Sequence, residues 1–193
     1  IKTFKDQDEY CYYVAGTVGN MLTEINYYRG HINSEEFLEL IKLARGFGLG
    51  LQKVNIIKNV RTDFMEGRRY WPSSLFKEQG IRYEDLFKPE NLESSLKILN
   101  KLIINAQQHL FSGLDYTLLI PSNQKGLRTF CLIPLFMALA TLSTCYKNPD
   151  VLLSEEEVKI SREKVEEIVR KSEEYSQNDS RIVSYFDKLR VKT

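Results

Sequence analysis

Histidine occurs only twice in this chain, at His31 and His109, and cysteine three times, at Cys11, Cys131 and Cys145. Two histidines nearly exclude a histidine-rich zinc centre, and any Ser/His/Asp arrangement would have to use one of them. Three widely spaced cysteines among apolar neighbours form neither a disulfide framework nor a CxxC metal site, so a reducing compartment is the simpler expectation. An excess of either charge is also missing: 27 Lys and Arg face 26 Asp and Glu, for a net +1. No long-range field gathers polyanions, so nucleic acid is not an expected partner, and phosphate binding would need a local basic cluster. The longest apolar stretch, 130–145, holds 16 residues including Pro134. That is short of the ~20 a spanning helix needs, and a buried core helix is expected. A cytoplasmic, monomeric protein is the expectation, with peripheral membrane contact left open.

Alternating strand-like runs are lacking too, and no internal repeat is found. Helical spacing is plentiful. Tyr10, Val14, Val18, Leu22 and Ile25 recur at steps of three and four, predicting one long helix over 6–28. Asn33-Ser34-Glu35-Glu36 supplies a cap and first-turn carboxylates for a second helix carried by Phe37, Leu40, Ala44, Leu51 and Val54 toward Asp63. Lys88-Pro89-Glu90 opens a third, with Leu92, Leu99, Ile103 and Leu110 on its buried stripe. Another runs from Arg128 to Tyr146. Ser154 with three following glutamates predicts a cap for a charged helix reaching about Tyr175, and a last amphipathic segment carries Ile182, Phe186 and Leu189. The expectation is an all-α bundle over 1–193, with 154–193 forming charged C-terminal helices. Gly46, Gly48 and Gly50 interrupt the second helix at about 1 kcal/mol each relative to Ala, which points to close approach of a neighbour or ligand. They do not spell GxGxxG.

The segment LQKVNIIKNVRTDFMEGRRYWP, 51–72, carries the most chemistry. Asn55, Asn59 and Asp63 fall at four-residue intervals, so three oxygen-bearing side chains line one helix face over roughly 12 Å. A hard cation takes oxygen ligands and is commonly shared with substrate phosphates; the competing reading is a solvated polar stripe. Gln52 lies one turn earlier, and Lys58, Arg61, Arg68 and Arg69 supply four cations within twelve positions. That cluster can hold a diphosphate on an otherwise neutral chain. Lys53 would face phosphate or solvent.

This segment resembles the second metal-binding motif of the squalene/phytoene synthase family, the head-to-head prenyl transferases. Tyr10-Cys11-Tyr12-Tyr13-Val14-Ala15-Gly16-Thr17-Val18-Gly19 is similar to the family's Y-C-x-x-V-A-G-x-V-G helix, Leu51 to Ile57 to its L-Q-x-x-N-I-x run, and Arg68 to Pro72 to its R-x-[FY]-W-P ending. Phe130 to Leu142, with Cys131, Pro134, Met137 and Thr141, looks most like the squalene synthase branch. The resemblance implies a class I isoprenoid synthase fold and magnesium ions that clamp the diphosphate of farnesyl diphosphate. It further implies condensation of two such molecules through presqualene diphosphate, with NADPH reduction to squalene in that branch.

Carried onto this chain, the resemblance implies Tyr10, Asp63 and Arg68 as catalytic residues and Asn55, Asn59 and Asp63 as metal ligands. Gln52, Asn55, Lys58, Arg61, Arg69 and Phe130 would meet substrate, and Lys53 and Asn55 the cofactor. Two departures stand out. Asn59 occupies the first position of the family's D-x3-D, keeping an oxygen ligand but losing its charge. Nothing before Tyr10 matches the family's other Asp-rich motif, so the chain is expected to be the C-terminal portion of a longer protein, lacking N-terminal helices and holding half a catalytic centre.

Overall fold

The computed structural model describes residues 1–192, and among them every regular element is helical. Helix α1 (Phe4–Cys11) is started by Thr3, whose hydroxyl accepts from the Asp6 amide at 3.3 Å while the Asp6 carboxylate accepts from the Thr3 amide at 2.9 Å. This capping box satisfies two donors that a helix start otherwise leaves unpaired. A five-residue π turn, Tyr12–Gly16, joins α1 to α2 (Thr17–Tyr28), so the single helix read from the periodicity is present with one wide turn inside it.

Helix α3 (Ser34–Lys58) starts at the expected cap, where Asn33 accepts from the amides of Glu35 and Glu36, both at 2.9 Å. It does not run unbroken to Asp63. Asn59 leaves helical geometry at φ −93°, ψ 12°, and a short α4 (Val60–Met65) follows. After α5 (Ser73–Gln79), the long α6 (Leu92–Leu119) and α7 (Lys125–Cys145) form the other half of the bundle. By length and composition α7 could cross a membrane; it is longer than the apolar run alone suggests, yet over half of its apolar window is buried against neighbouring helices.

The charged tail departs from expectation. Ser154 caps no helix: after a single turn, α8 (Asp150–Leu153), residues 154–161 bend and then run on without a regular element, and α9 (Arg162–Tyr175) is capped by Ser161. Val158 and Ile160, two apart, both pack on the core, which is the period of an extended chain. Amphipathic α9 and α10 (Asp179–Leu189) then lie on α7. Arg128, 2% exposed, ties the pieces together, donating to the carbonyls of Ile120 (2.7 Å), Leu118 (3.0 Å) and Ser176 (3.1 Å) and to Asp179 (2.6 Å).

Helix α3 is central, packed along α6 on one side and along α1 and α2 on the other. The glycine triplet makes this possible. A methyl group on Gly46 would meet the Ser112 side chain at 2.5 Å, one on Gly50 would meet Leu110 at 2.7 Å, and one on Gly48 would meet the Ala15 carbonyl oxygen at 2.6 Å. The missing side chains therefore admit facing helices on both sides of α3.

Candidate active site

Three segments converge at the C-terminal end of α3. Helix α1 brings Gln7, Asp8 and Tyr10; α3 brings Gln52 to Lys58; the α4 turn and its exit bring Asp63, Arg68 and Tyr70. Across the Asn59 break the backbone keeps its four-residue step, with Asn59 N–H donating to the Asn55 carbonyl at 3.0 Å and Asp63 N–H to the Asn59 carbonyl at 2.9 Å. The three oxygen-bearing residues thus remain on successive turns. Asn55 is exposed, Asn59 and Asp63 are half-buried, and Arg68 Nε donates to Asp63 at 2.9 Å. Arg68 also pairs with Glu66.

Tyr10 is half-buried and stacks on Tyr70, with ring centroids 4.8 Å apart and planes 26° off parallel. Burial first, and then the neighbouring Tyr70 phenol, push the Tyr10 hydroxyl up to about 12. It is a phenol at neutral pH, a donor held beside the Asp63 and Arg68 pair.

Along α3 lies open space of two kinds, which Asn55 reaches and which Asn59, Asp63, Arg68, Tyr10 and Tyr70 do not line. An apolar cavity of about 230 Å³ runs between α2, α3 and α7 under Val14, Val18, Ala44, Phe47 and Phe130. Leu51 and Pro134 form the wall it shares with a second cleft of about 480 Å³, where Asn55, Lys58, Thr141 and Lys159 supply polar groups. Phe130 is 57% exposed, so its ring is available to a ligand and is not plain core packing.

Other expected site residues are engaged by the fold. Lys53 is 2% exposed, facing neither solvent nor the cleft: its ammonium pairs with Asp8 and donates to Asn105. Burial raises the Asp8 pKa, but hydrogen bonds from His109 and Lys53 outweigh it and hold the carboxyl below its usual range. Lys53 is thus an internal counter-ion, unsuited to gripping a cofactor phosphate, and His109 belongs to the same cluster at 3.6 Å from Asp8. Arg61 donates to the Leu152 carbonyl and covers the Phe87 ring at 4.6 Å. Arg69 lies over Phe64 at 4.0 Å and donates to the Phe64 carbonyl at 2.9 Å. Trp71, fully buried, donates Nε1 to the Ile56 carbonyl at 3.3 Å. Much of the R-R-Y-W-P run therefore anchors the α4 exit to α3, leaving Arg68 and Tyr70 toward Tyr10. Gln52 is half-buried beside the cleft residues of α3.

The oxygen donors suit magnesium in kind: one carboxylate and two amides resemble the sparse protein shell of an ion shared with ligand phosphates, not a dedicated cage. Among the described residues no group of three His, Cys, Asp or Glu side chains could hold a metal alone.

A family model described as squalene/phytoene synthase matches residues 1–164. The chain belongs to that family. Among its relatives are the squalene synthases of Cyberlindnera jadinii, 38% identical over 150 residues covering 78% of this chain and 33% of the relative, and of Rattus norvegicus, 39% identical over 152 residues covering 76% and 35%. A solved complex of TcSQS with the ligand BPH1237 superposes with a TM-score of 0.87 at 28% identity, covering 98% of this chain and 55% of that one. The all-α isoprenoid synthase fold is thereby established, and the chain spans about a third of the length of the curated relatives it matches.

Asp8 and Tyr70 are site residues that spacing alone did not single out. Tyr70 sat in plain view inside the R-x-[FY]-W-P run, but a motif position does not say which ring it will meet.

Proposed function

We propose that this chain supplies the diphosphate-binding and isoprenoid-binding half of a head-to-head prenyl transferase, which condenses two farnesyl diphosphates through presqualene diphosphate to squalene, with NADPH as reductant. The observation that carries this is the apolar cavity sharing the Leu51 and Pro134 wall with a mixed cleft into which Asn55, Lys58 and Lys159 bring an amide and two ammonium groups. A prenyl diphosphate has that same division between an apolar chain and a charged head. Phe130, Val14 and Val18 take the isoprenoid chain, and the exposed π-face of Phe130 shields developing positive charge from water. Asn55 and Lys58 meet the diphosphate, with Gln52 one turn behind.

Asn59 and Asp63, with Asn55, would hold magnesium, which when bound neutralises charge on the leaving diphosphate. Arg68 supports the same charge from the other side of Asp63. Tyr10, a phenol across the neutral range, donates a hydrogen bond toward the departing group. Asn55 is the residue placed to meet a reductant's polar groups, since Lys53 is occupied by Asp8.

The test is titration of the chain with a non-hydrolysable farnesyl thiodiphosphate in the presence and absence of magnesium, followed by an assay, on the chain and on its full-length parent, of pyrophosphate and extracted hydrocarbons from farnesyl diphosphate with and without NADPH. Magnesium-dependent binding by the chain, with pyrophosphate release and NADPH-dependent squalene from the full-length parent, is the expected result. Hydrocarbon indifferent to NADPH would assign the chain to phytoene or dehydrosqualene chemistry. Binding without release by the parent as well as by the chain would favour a non-catalytic diphosphate-binding relative, a reading that Asn59 motivates. Absence of binding overturns the proposal.

A further inference from the structure

We propose that Glu157 is a resident anion of the polar cleft, holding between Lys58 and Lys159 the place that a substrate diphosphate takes, and that Lys159 becomes a further diphosphate ligand once Glu157 is displaced. This rests on the reading of that cleft as the diphosphate site. Glu157 Oε1 lies 3.3 Å from Lys58 Nζ on α3, and Oε2 lies 2.9 Å from Lys159 Nζ. Each carboxylate oxygen thus serves a different ammonium group, and both lysines line the cleft.

The run that carries Glu157 is arranged to present it. Val158 and Ile160 pack on the core, and in a chain without helical turns residues two apart share a side. Glu157 and Lys159 therefore fall together on the other side, as their ion pair requires. Thr141, the hydroxyl of the cleft, donates to the Met137 carbonyl at 2.8 Å. The Asn55 amide and the two ammonium groups are left as the donors that an anion in the cleft can meet.

Two ammonium groups brought to one cleft repel each other, and a carboxylate between them removes that cost. A diphosphate removes it as well. Its oxygens lie in pairs much as a carboxylate's do and carry more charge, so exchanging one anion for the other keeps both lysines paired. The exchange is easy because solvent reaches all three groups: the side chains of Lys58, Glu157 and Lys159 are 32%, 28% and 65% exposed, and ion pairs in contact with water contribute little stability.

Calorimetric titration of the chain with inorganic pyrophosphate, farnesyl thiodiphosphate and farnesol, each with magnesium, reads this exchange. Glu157→Gln, which keeps the shape and drops the charge, is expected to tighten both diphosphates roughly three- to tenfold, the release of two part-exposed ion pairs, and to leave farnesol unchanged. Glu157→Ala serves if that variant does not fold, with helical circular dichroism as the check. Glu156→Gln is the control, making the same change in net charge at an exposed neighbour that forms no ion pair among the described residues, and it is expected to leave every affinity within about twofold. Adding Lys159→Met to Glu157→Gln is expected to weaken both diphosphates roughly tenfold, the loss of one charged donor. Diphosphate binding seen only in Glu157→Gln is the expected result at its limit. Unchanged diphosphate affinity in Glu157→Gln overturns the proposal and leaves the cleft reading standing. An equal gain in Glu156→Gln or for farnesol also overturns it, and a gain that survives Lys159→Met removes Lys159 as a ligand. Pyrophosphate bound by neither the wild-type chain nor any variant overturns the diphosphate reading of the cleft together with the role of Glu157.

Discussion

Adding one methyl group to Gly48 tests the packing that creates the site. An alanine Cβ there would sit 2.6 Å from the Ala15 carbonyl oxygen, 2.8 Å from its carbon and 2.9 Å from the Gly16 Cα. All three atoms are backbone, so no rotamer change relieves the contact. Either α3 moves away from the π turn by most of an ångström, or the turn rewinds. Overpacking of this kind costs about 1–3 kcal/mol, and the intrinsic gain of Ala over Gly within a helix returns about 1 kcal/mol. The net expectation for Gly48→Ala is a loss of up to about 2 kcal/mol, or up to roughly 8 °C in Tm at this chain length.

Gly126→Ala is the matched control. It lies in the first turn of α7 with nothing within 4 Å of its added methyl, so the entropic gain of about 0.4–1 kcal/mol stands alone and stability rises. Urea and thermal unfolding followed by circular dichroism measure both. Opposite signs for the same chemical change support close approach as the role of the triplet; a Gly48→Ala chain as stable as the Gly126→Ala chain refutes it. Gly48 also lines the apolar cavity beside Ala15 and Gly19, so Gly48→Ala should weaken farnesyl thiodiphosphate binding while Gly126→Ala leaves it unchanged.

The remaining predictions concern charge and thiols. Arg128→Met removes the donors to three carbonyls and to the exposed Asp179, and at about 1–3 kcal/mol for each carbonyl left without a partner the cost should appear as a Tm drop on the order of 10 °C. Asp8 has its folded pKa held below the unfolded value, so its contribution is present above about pH 4 and is lost as pH falls through the folded value. Asp8→Asn should therefore flatten the acid limb of a stability-versus-pH curve and lower stability at pH 7, where it leaves Lys53 buried without its counter-ion; an unaltered acid limb would count against the pairing. Asn59→Asp adds the missing negative charge to the oxygen ladder and should tighten magnesium-dependent binding of farnesyl thiodiphosphate about tenfold by calorimetry. Burial raises the thiols of Cys11 and Cys131 to about 12 and of Cys145 to about 11, so reaction with a disulfide reagent at pH 8 should be negligible in the native chain and complete in urea.

Helix identity was legible because apolar spacing and caps agree: Asn33 with Glu36, and the stripe of α6 from Leu92 to Leu110, form as their residues dictate. Residues 154–161 misled because Ser followed by three glutamates carries a local helix-start signal, whereas Val158 and Ile160 answer to the core, and tertiary burial outweighs capping. The same division runs through the site. Asn55, Asn59 and Asp63 are neighbours along one helical path, so their spacing places them, and the backbone bonds across Asn59 preserve it. Lys53, Arg61 and Arg69 are equally cationic by type, but their partners Asp8, Leu152 and Phe64 are set by how α1, α8 and α4 fold back on α3. Of these only Asp8 is a charge that pairs with its cation, and it lies 45 positions away on another helix. Residue type thus proposes every cation of the segment as a diphosphate ligand, and packing withdraws three. Lys58 and Arg68 remain half-exposed, the first paired with Glu157 and the second with exposed Glu66 as well as Asp63, and they are the cations on which substrate charge should fall.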